Sequence, residues 1–243
     1  MDRLRGILFD YGHTLVWFPK YEEAHVTAAK NVRRVLCDLG VTVEVSRVRA
    51  LIESYVPRPN GTSVSVEEEA KGILVSAGVE SFDQHDLRRI IDAEWKPYIG
   101  NVHLRKGVRE FLAYSKESGL KLGIVANIWS GGMNPVLKKL GIEDFFDTRV
   151  ASMDVGFAKP DPRIFRLALG NLQLDPEQVV MVGDNPKSDI RGAQDVGMGT
   201  IRLMRGPNRT QPDCVETGFK VSDFSTLVSI IRSLTDACGC ITR

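Results

Sequence analysis

The apolar positions of the chain follow two rhythms. Near the N-terminus, Gly6-Ile7-Leu8-Phe9 is a short continuous apolar run ending on Asp10, the pattern of a buried strand closed by a turn at Gly12. From Val16 onward the spacing becomes helical. Ala28, Val32, Val35, Leu36 and Leu39 predict a helix that stops at Gly40, and Val45, Val48, Leu51, Ile52 and Tyr55 predict a second, ended by Pro57 and Pro59. Pro57 to Ser65 reads as a loop. Val66, Ala70, Ile73, Leu74 and Ala77 mark a third helix ending near Gly78, and Leu87, Ile90 and Ile91 a fourth, closed by Pro97 to Gly100. Four helices with no strand between them predict an all-helical module over residues 17–99.

Beyond Val108 strands return. A helix (Val108, Phe111, Leu112, Tyr114) ends at Gly119 and feeds the apolar strand Leu122 to Ala126. A helix around Pro135–Leu140 ends at Gly141, Thr148–Ser152 reads as a short strand, and Pro162–Leu169 as a helix. Gln178 to Gly183 is a β-branched buried strand followed by Asp184. Asp189 to Val196 reads as a helix stopped by Gly197, Thr200–Leu203 as a strand, and Phe219–Val221 and Leu227–Leu234 as a last strand and helix. This alternation predicts an α/β fold: a Rossmann-like parallel sheet with helices on both faces. Residues 1–16 and 100–243 form the core, and the helical module 17–99 is inserted over the strand ends as a cap.

Composition narrows the class. The 243 residues are 43% apolar and 26% charged, with a formal net charge of +1. That balance gives no basic footprint for nucleic acid and no electrostatic pull toward a membrane. No apolar run approaches the roughly 18–20 residues that span a bilayer, and Asp10 interrupts the N-terminal run too early for a signal peptide. A cytoplasmic protein is expected. The cysteines Cys37, Cys214, Cys238 and Cys240 lack the paired spacing of a zinc site and read as ordinary thiols.

Three polar features fall at or just past strand ends. They are Asp10; Lys159 in the Pro-rich stretch Gly156 to Pro162; and Asp184 with Asp189 in Gly183-Asp184-Asn185-Pro186-Lys187-Ser188-Asp189. Carboxyl ends of strands are where open α/β sheets bind ligands. Were Asp10, Asp184 and Asp189 to converge, their repulsion would raise their pKa values unless cations neutralised them. A lysine and a hard divalent ion such as magnesium would do so, and magnesium bridges carboxylates to phosphate groups.

These residues, in this order, resemble the haloacid-dehalogenase-like (HAD) hydrolase superfamily of the helical-cap (C1) type. The four signatures are Phe9-Asp10-Tyr11-Gly12-His13-Thr14-Leu15, Gly123-Ile124-Val125-Ala126-Asn127, Lys159-Pro160, and Gly183-Asp184 through Asp189 with Gly192-Ala193. The resemblance implies a magnesium-dependent phosphatase acting on a small phosphorylated metabolite. Asp10 would be the nucleophile that becomes an aspartyl-phosphate, and Lys159 would stabilise it and the transferring phosphoryl group. Mg2+ would be held by Asp10, Asp184 and the backbone carbonyl of Gly12, with Asp189 completing the metal set or orienting Lys159.

Two positions depart from the pattern. The family's phosphatases usually carry an acid–base Asp two residues after the nucleophile, where this chain has Gly12. The second signature usually ends in Ser or Thr, where this chain has Ala126. Phosphate contact then falls to Ala126, Asn127 and Lys159, with Ser130 a further candidate, and His13 is the candidate proton carrier because an imidazole titrates near neutrality. The dehalogenases carry a Tyr two residues after the nucleophile. Here Tyr11 is one residue after it, which argues against carbon–halogen hydrolysis, and no cap lysine stands out as the Schiff-base amine of the phosphonate-cleaving relatives. The alternative to the phosphatase is a catalytically weak or inactive phosphate-binding homologue. The cap would set specificity through Phe18, Lys20 and Tyr21, with Trp17, Trp95 and Trp129 as candidate cleft walls and His25, His85 and His103 isolated.

Overall fold

The computed structural model describes residues 4–55, 63–213 and 217–236. Six parallel strands make one sheet. In chain order, β1 is Gly6–Phe9, β4 Lys121–Ala126, β5 Thr148–Ala151, β6 Val179–Gly183, β7 Gly199–Leu203 and β8 Phe219–Val221; in space they run β5-β4-β1-β6-β7-β8. The two strands missing from that count, β2 (Val16–Trp17) and β3 (His103–Leu104), form an antiparallel pair where the chain leaves the core and returns. At two residues each they carry no readable period, and the sequence does not predict them.

β1 lies at the centre, with Phe9 in register with Ile124 of β4 and Val182 of β6. Successive residues point to opposite faces of a strand. Accordingly Ile7, Phe9, Ile124 and Val182 join one apolar cluster, while Leu8, Val125 and Met181 join another. The first face is covered by α5 (Val108–Glu117), α6 (Ser130–Lys139) and α10 (Phe224–Asp236), the second by α8 (Pro162–Leu172) and α9 (Gly192–Gln194). Because the chain moves from β1 to β4 on one side and to β6 on the other, a crevice opens at the carboxyl ends of these three strands.

Between β2 and β3 run α1 (Tyr21–Asp38), α2 (Val45–Ser54), α3 (Val66–Ala77) and α4 (Gln84–Gly100), whose apolar stripes form a separate cluster around Val32, Leu36, Val48, Ile73 and Ile90. Capping boxes start two of them: Ser65 with Glu68 for α3, Asp83 with Asp86 for α4. α3 stops at Gly78, whose φ of 94° is cheap only for glycine.

α4 differs from expectation. It runs through Pro97 to Gly100 instead of closing there. A mid-helix proline leaves the carbonyl four residues earlier without its donor, and here Asn31 of α1 donates to that Ala93 carbonyl at 3.4 Å. The expected helix Asp189–Val196 also differs: a π-helical turn spans Pro186–Arg191 and leads into the short α9. Asn185 Oδ1 starts it by accepting from the backbone of Lys187 and Ser188. Cys37 is exposed and unpaired, while Cys214, Cys238, Cys240 and positions 57–62 lie outside the described residues. Among the described residues no helix is long and apolar enough to cross a membrane.

Candidate active site

Asp10 follows β1 directly, and its backbone N–H donates to Val182 O of β6 at 2.9 Å, which fixes the loop above the sheet centre. Its carboxylate accepts from Lys159 Nζ at 2.7 Å. Lys159 is buried, and Nζ also lies 2.8 Å from Asp189 Oδ1. Burial works against the ammonium charge, but Asp10 and Asp189 outweigh it and hold the lysine above its usual range. Lys159 is therefore a permanent cation between two acids.

Asp189 reaches it because position 183 is glycine: a Cβ there would collide with the Asp189 carboxylate. Asp189 also accepts from the Asn185 backbone at 2.9 Å and from the Ser188 hydroxyl at 3.1 Å. These contacts orient Lys159, and the Asp189 carboxylate also belongs to the acidic group that could hold a metal ion. Gly192 is equally constrained, since a Cβ would come within 2.7 Å of Phe165 and 3.0 Å of Pro160 Cα.

Asp184, after β6, completes the cluster. One carboxylate oxygen from each of Asp10, Asp184 and Asp189 lies within 4.8 Å of the others. Burial pushes Asp10 up to about 6 against the pull of Lys159, with Asp189 adding to the rise. Burial, then Asp10 and Asp189, push Asp184 up to about 7. Three carboxylates facing one ammonium leave negative charge uncompensated, all of it on oxygen donors. This set fits a hard divalent cation. Gly12 lines the cleft together with Asp10.

Asn127 is placed differently from a simple phosphate donor. Its Oδ1 accepts from Lys159 N at 2.8 Å and its Nδ2 donates to Lys159 O at 3.0 Å, so it clamps the lysine backbone and keeps one N–H free. Ala126 borders the cleft and brings no hydroxyl. The Ser130 backbone N–H donates to Asp154, and Ser130 lies outside the cleft wall. His13 does border the cleft, in the left-handed region at φ 61°, with its ring edge-on to Phe18. Burial, then Arg105, lower its pKa, so the imidazole is neutral at pH 7.

Several residues without a sequence motif belong here as well. Asn208, in the loop after β7, donates to Asp184 Oδ2 at 2.9 Å. Arg105 acts electrostatically on both Asp184 and His13. Arg202, fully buried, pairs with Asp213 and donates to the Asn208 carbonyl, anchoring that loop. Its lone charge inside an apolar strand was the available signal.

Between core and helices lies a cavity of about 330 Å3. Phe18, Tyr21 and Trp95 line it as expected. Lys20 instead pairs with Glu23, Trp17 is exposed beside His103, and Trp129 packs edge-on against Trp95 outside the cavity wall. His25 is not isolated: its ring lies 2.5 Å from Tyr98 Oη and 3.2 Å from Glu53. Also on the wall are Glu69 of α3 and Glu94 of α4, which no sequence motif marks. Asp83 and Asp86 lie near His85, but they are the capping pair of α4.

This arrangement is shared. The family model for haloacid dehalogenase-like hydrolases matches residues 53–203, and the chain belongs to that family. It is 32% identical over 246 aligned positions to a glyceraldehyde 3-phosphate phosphatase of Methanopyrus kandleri, covering 95% of this chain and 98% of the relative. It is 33% identical to a ribulose-1,5-bisphosphate 5-phosphatase of Halopiger xanaduensis, covering 81% and 83%. In fold it resembles a 2-haloacid dehalogenase of Pseudomonas syringae with a TM-score of 0.68 at 22% identity, covering 94% and 98%. Relatives named for phosphate esters and a fold neighbour named for carbon–halogen bonds leave the chemistry to be argued from this chain's own residues.

Proposed function

We propose that the protein is a magnesium-dependent phosphatase that releases phosphate from a small phosphorylated metabolite through a phospho-Asp10 intermediate, with the helices of residues 17–99 acting as its cap. The observation that carries this is the Asp10 carboxylate at the floor of the cleft, held at 2.7 Å by the buried Lys159, with Asp184 beside it. Mg2+, when bound by Asp10, Asp184 and the Gly12 carbonyl, would neutralise the acid cluster and the phosphate oxygens. An Asp10 oxygen attacks phosphorus, and the phosphorus–oxygen bond to the alcohol breaks with its electron pair going to the alcohol oxygen, which is protonated from solvent. Water then attacks phospho-Asp10, releasing inorganic phosphate and restoring Asp10. Phosphoryl transfer rests mainly on positioning and charge neutralisation; Lys159 supplies fixed charge, and Asn127 and Asp189 hold it in place. Neutral His13 is the candidate to take the proton of the attacking water.

Phosphate release from aryl, acyl and sugar phosphates, with magnesium and with chelator, tests this reading. Release is expected to need magnesium and to vanish in Asp10→Asn. A weak or inactive phosphate-binding homologue is the second reading, and Gly12 and Ala126 are the observations that favour it. It predicts phosphate binding with no release from any of the three esters.

A further inference from the structure

The cap wall holds a group of residues the phosphatase chemistry does not use. Glu69 and Glu94 reach the cleft from different helices, each only 4% exposed. Neither has an ion-pair partner among the described residues, and the described cleft wall contains no lysine or arginine. Glu69 Oε2 is buried without a hydrogen-bond partner, and so is the indole N–H of Trp95. Beside them, Trp95 and Tyr98 have ring centroids 6.2 Å apart and Tyr98 and Tyr21 5.8 Å apart, so their faces and edges form a continuous aromatic wall. The ring nitrogens of His25 are engaged by Tyr98 and Glu53, so His25 makes no hydrogen bond to either glutamate.

We propose that this wall recognises an organic ammonium group, so that the substrate is a phosphoric monoester whose alcohol carries a protonated or quaternary amine. The proposal rests on the phosphatase reading above and adds the identity of the substrate's far end. Buried carboxyls without a cation are costly, and burial raises both from their ordinary range, with Glu69 adding to the rise at Glu94. The pair by itself keeps protons in place of a cation; an incoming ammonium displaces them and supplies the charge, and aromatic faces attract it further. A substrate with a second carboxylate would be repelled. A polyol would satisfy the carboxyls and gain nothing from the rings. A pair of acids that merely shares a proton would bind no ligand.

Two measurements test the proposal. Calorimetric titration of the wild type with butylammonium or tetramethylammonium, in phosphate-free buffer, needs no turnover. It is expected to show saturable binding, weakened roughly tenfold or more in Glu69→Gln/Glu94→Gln. Separately, kcat/KM is compared for ω-aminoalkyl phosphates and n-alkyl phosphates of graded length. At one length the amine is expected to be preferred by roughly tenfold or more, and the ratio falls to about one in either Gln variant. Failure of the wild type to bind either cation overturns the proposal, as does an amine preference that survives in both variants. If no ester is hydrolysed, the phosphatase reading fails, and the titration by itself still supports or overturns the cation site.

Discussion

The protein buries acids in two places and treats them differently. At the core, Asp10 and Asp189 pair with a buried lysine, Asp189 also accepts from the Asn185 backbone, and Asp184 accepts from Asn208. In the helical module, Glu69 and Glu94 are buried with no cation beside them among the described residues, and one oxygen of Glu69 has no hydrogen-bond partner. The difference is one of purpose. An internal cation fixes a carboxylate's geometry and favours its charged form, as the proposed attack by Asp10 requires. Acids left without one make a surface whose most favourable partner is brought in by a ligand.

Removing the internal cation makes the two places alike, and it is the largest effect expected. Lys159→Met leaves Asp10 and Asp189 buried and unpaired, a loss of about 3–5 kcal/mol in denaturant unfolding. Losing the charge that faces the phosphoryl group should cost about 10²–10³ in turnover. A variant of unchanged stability would mean the lysine does not hold the cluster.

The core site's weak point is proton supply, and Gly12→Asp tests it. A Cβ at Gly12 meets only Phe18, at 3.9 Å, so the substitution introduces no clash at its Cβ. Turnover of alkyl phosphates should rise about 10²-fold, and that of aryl phosphates far less, since their leaving groups need no proton. Equal changes for both would show that protonation is not the missing step.

The unpaired pair should reveal itself in the pH dependence of stability. Burial raises Glu69 to about 7 and Glu94 well above the ordinary 4.5. Between pH 4.5 and 7 the folded protein therefore holds protons the unfolded chain has released, and stability falls as pH rises through that window. Glu69→Gln should flatten this fall and stabilise the protein at pH 8 by up to about 3 kcal/mol, with little effect at pH 4. Thermal unfolding across that range measures it; a fall of equal slope in the variant would contradict the assignment.

A smaller effect concerns a cap polar group that does have its partner. Asn31→Ala strips the Ala93 carbonyl opposite Pro97 of its donor and should cost about 1 kcal/mol, read from the unfolding midpoint.

Asp10 and Asp184 were legible in the sequence because each directly follows a strand, and Asp189 because it lies in the same short motif as Asp184. Chain order plus sheet topology brings Asp10, Lys159 and Asp184 together whatever the details between them. The cap acids were not legible. Glu69 sits in a run of three glutamates that reads as a solvated helix start, and Glu94 follows an amphipathic stripe with nothing to distinguish it from Asp92. Only the packing of α3 against α4 turns them inward. Pro97 misled for a related reason: whether a proline ends a helix depends on whether a neighbour can serve the freed carbonyl, and Asn31 lies far away in sequence. The turn at Pro186–Arg191 was hidden because its shape is set by Asn185 capping and by the close approach of Asp189 to Gly183, neither of which has a period.

The central claim is that Asp10 carries the phosphoryl group between substrate and water. Rapid acid quench during turnover, followed by mass analysis of the peptides, tests it most directly. The account predicts one phosphoryl group on the peptide containing Asp10, dependent on magnesium and absent in Asp10→Asn, which also releases no phosphate. Phosphate release that continues in Asp10→Asn, with no phosphorylated peptide at any quench time, would contradict it.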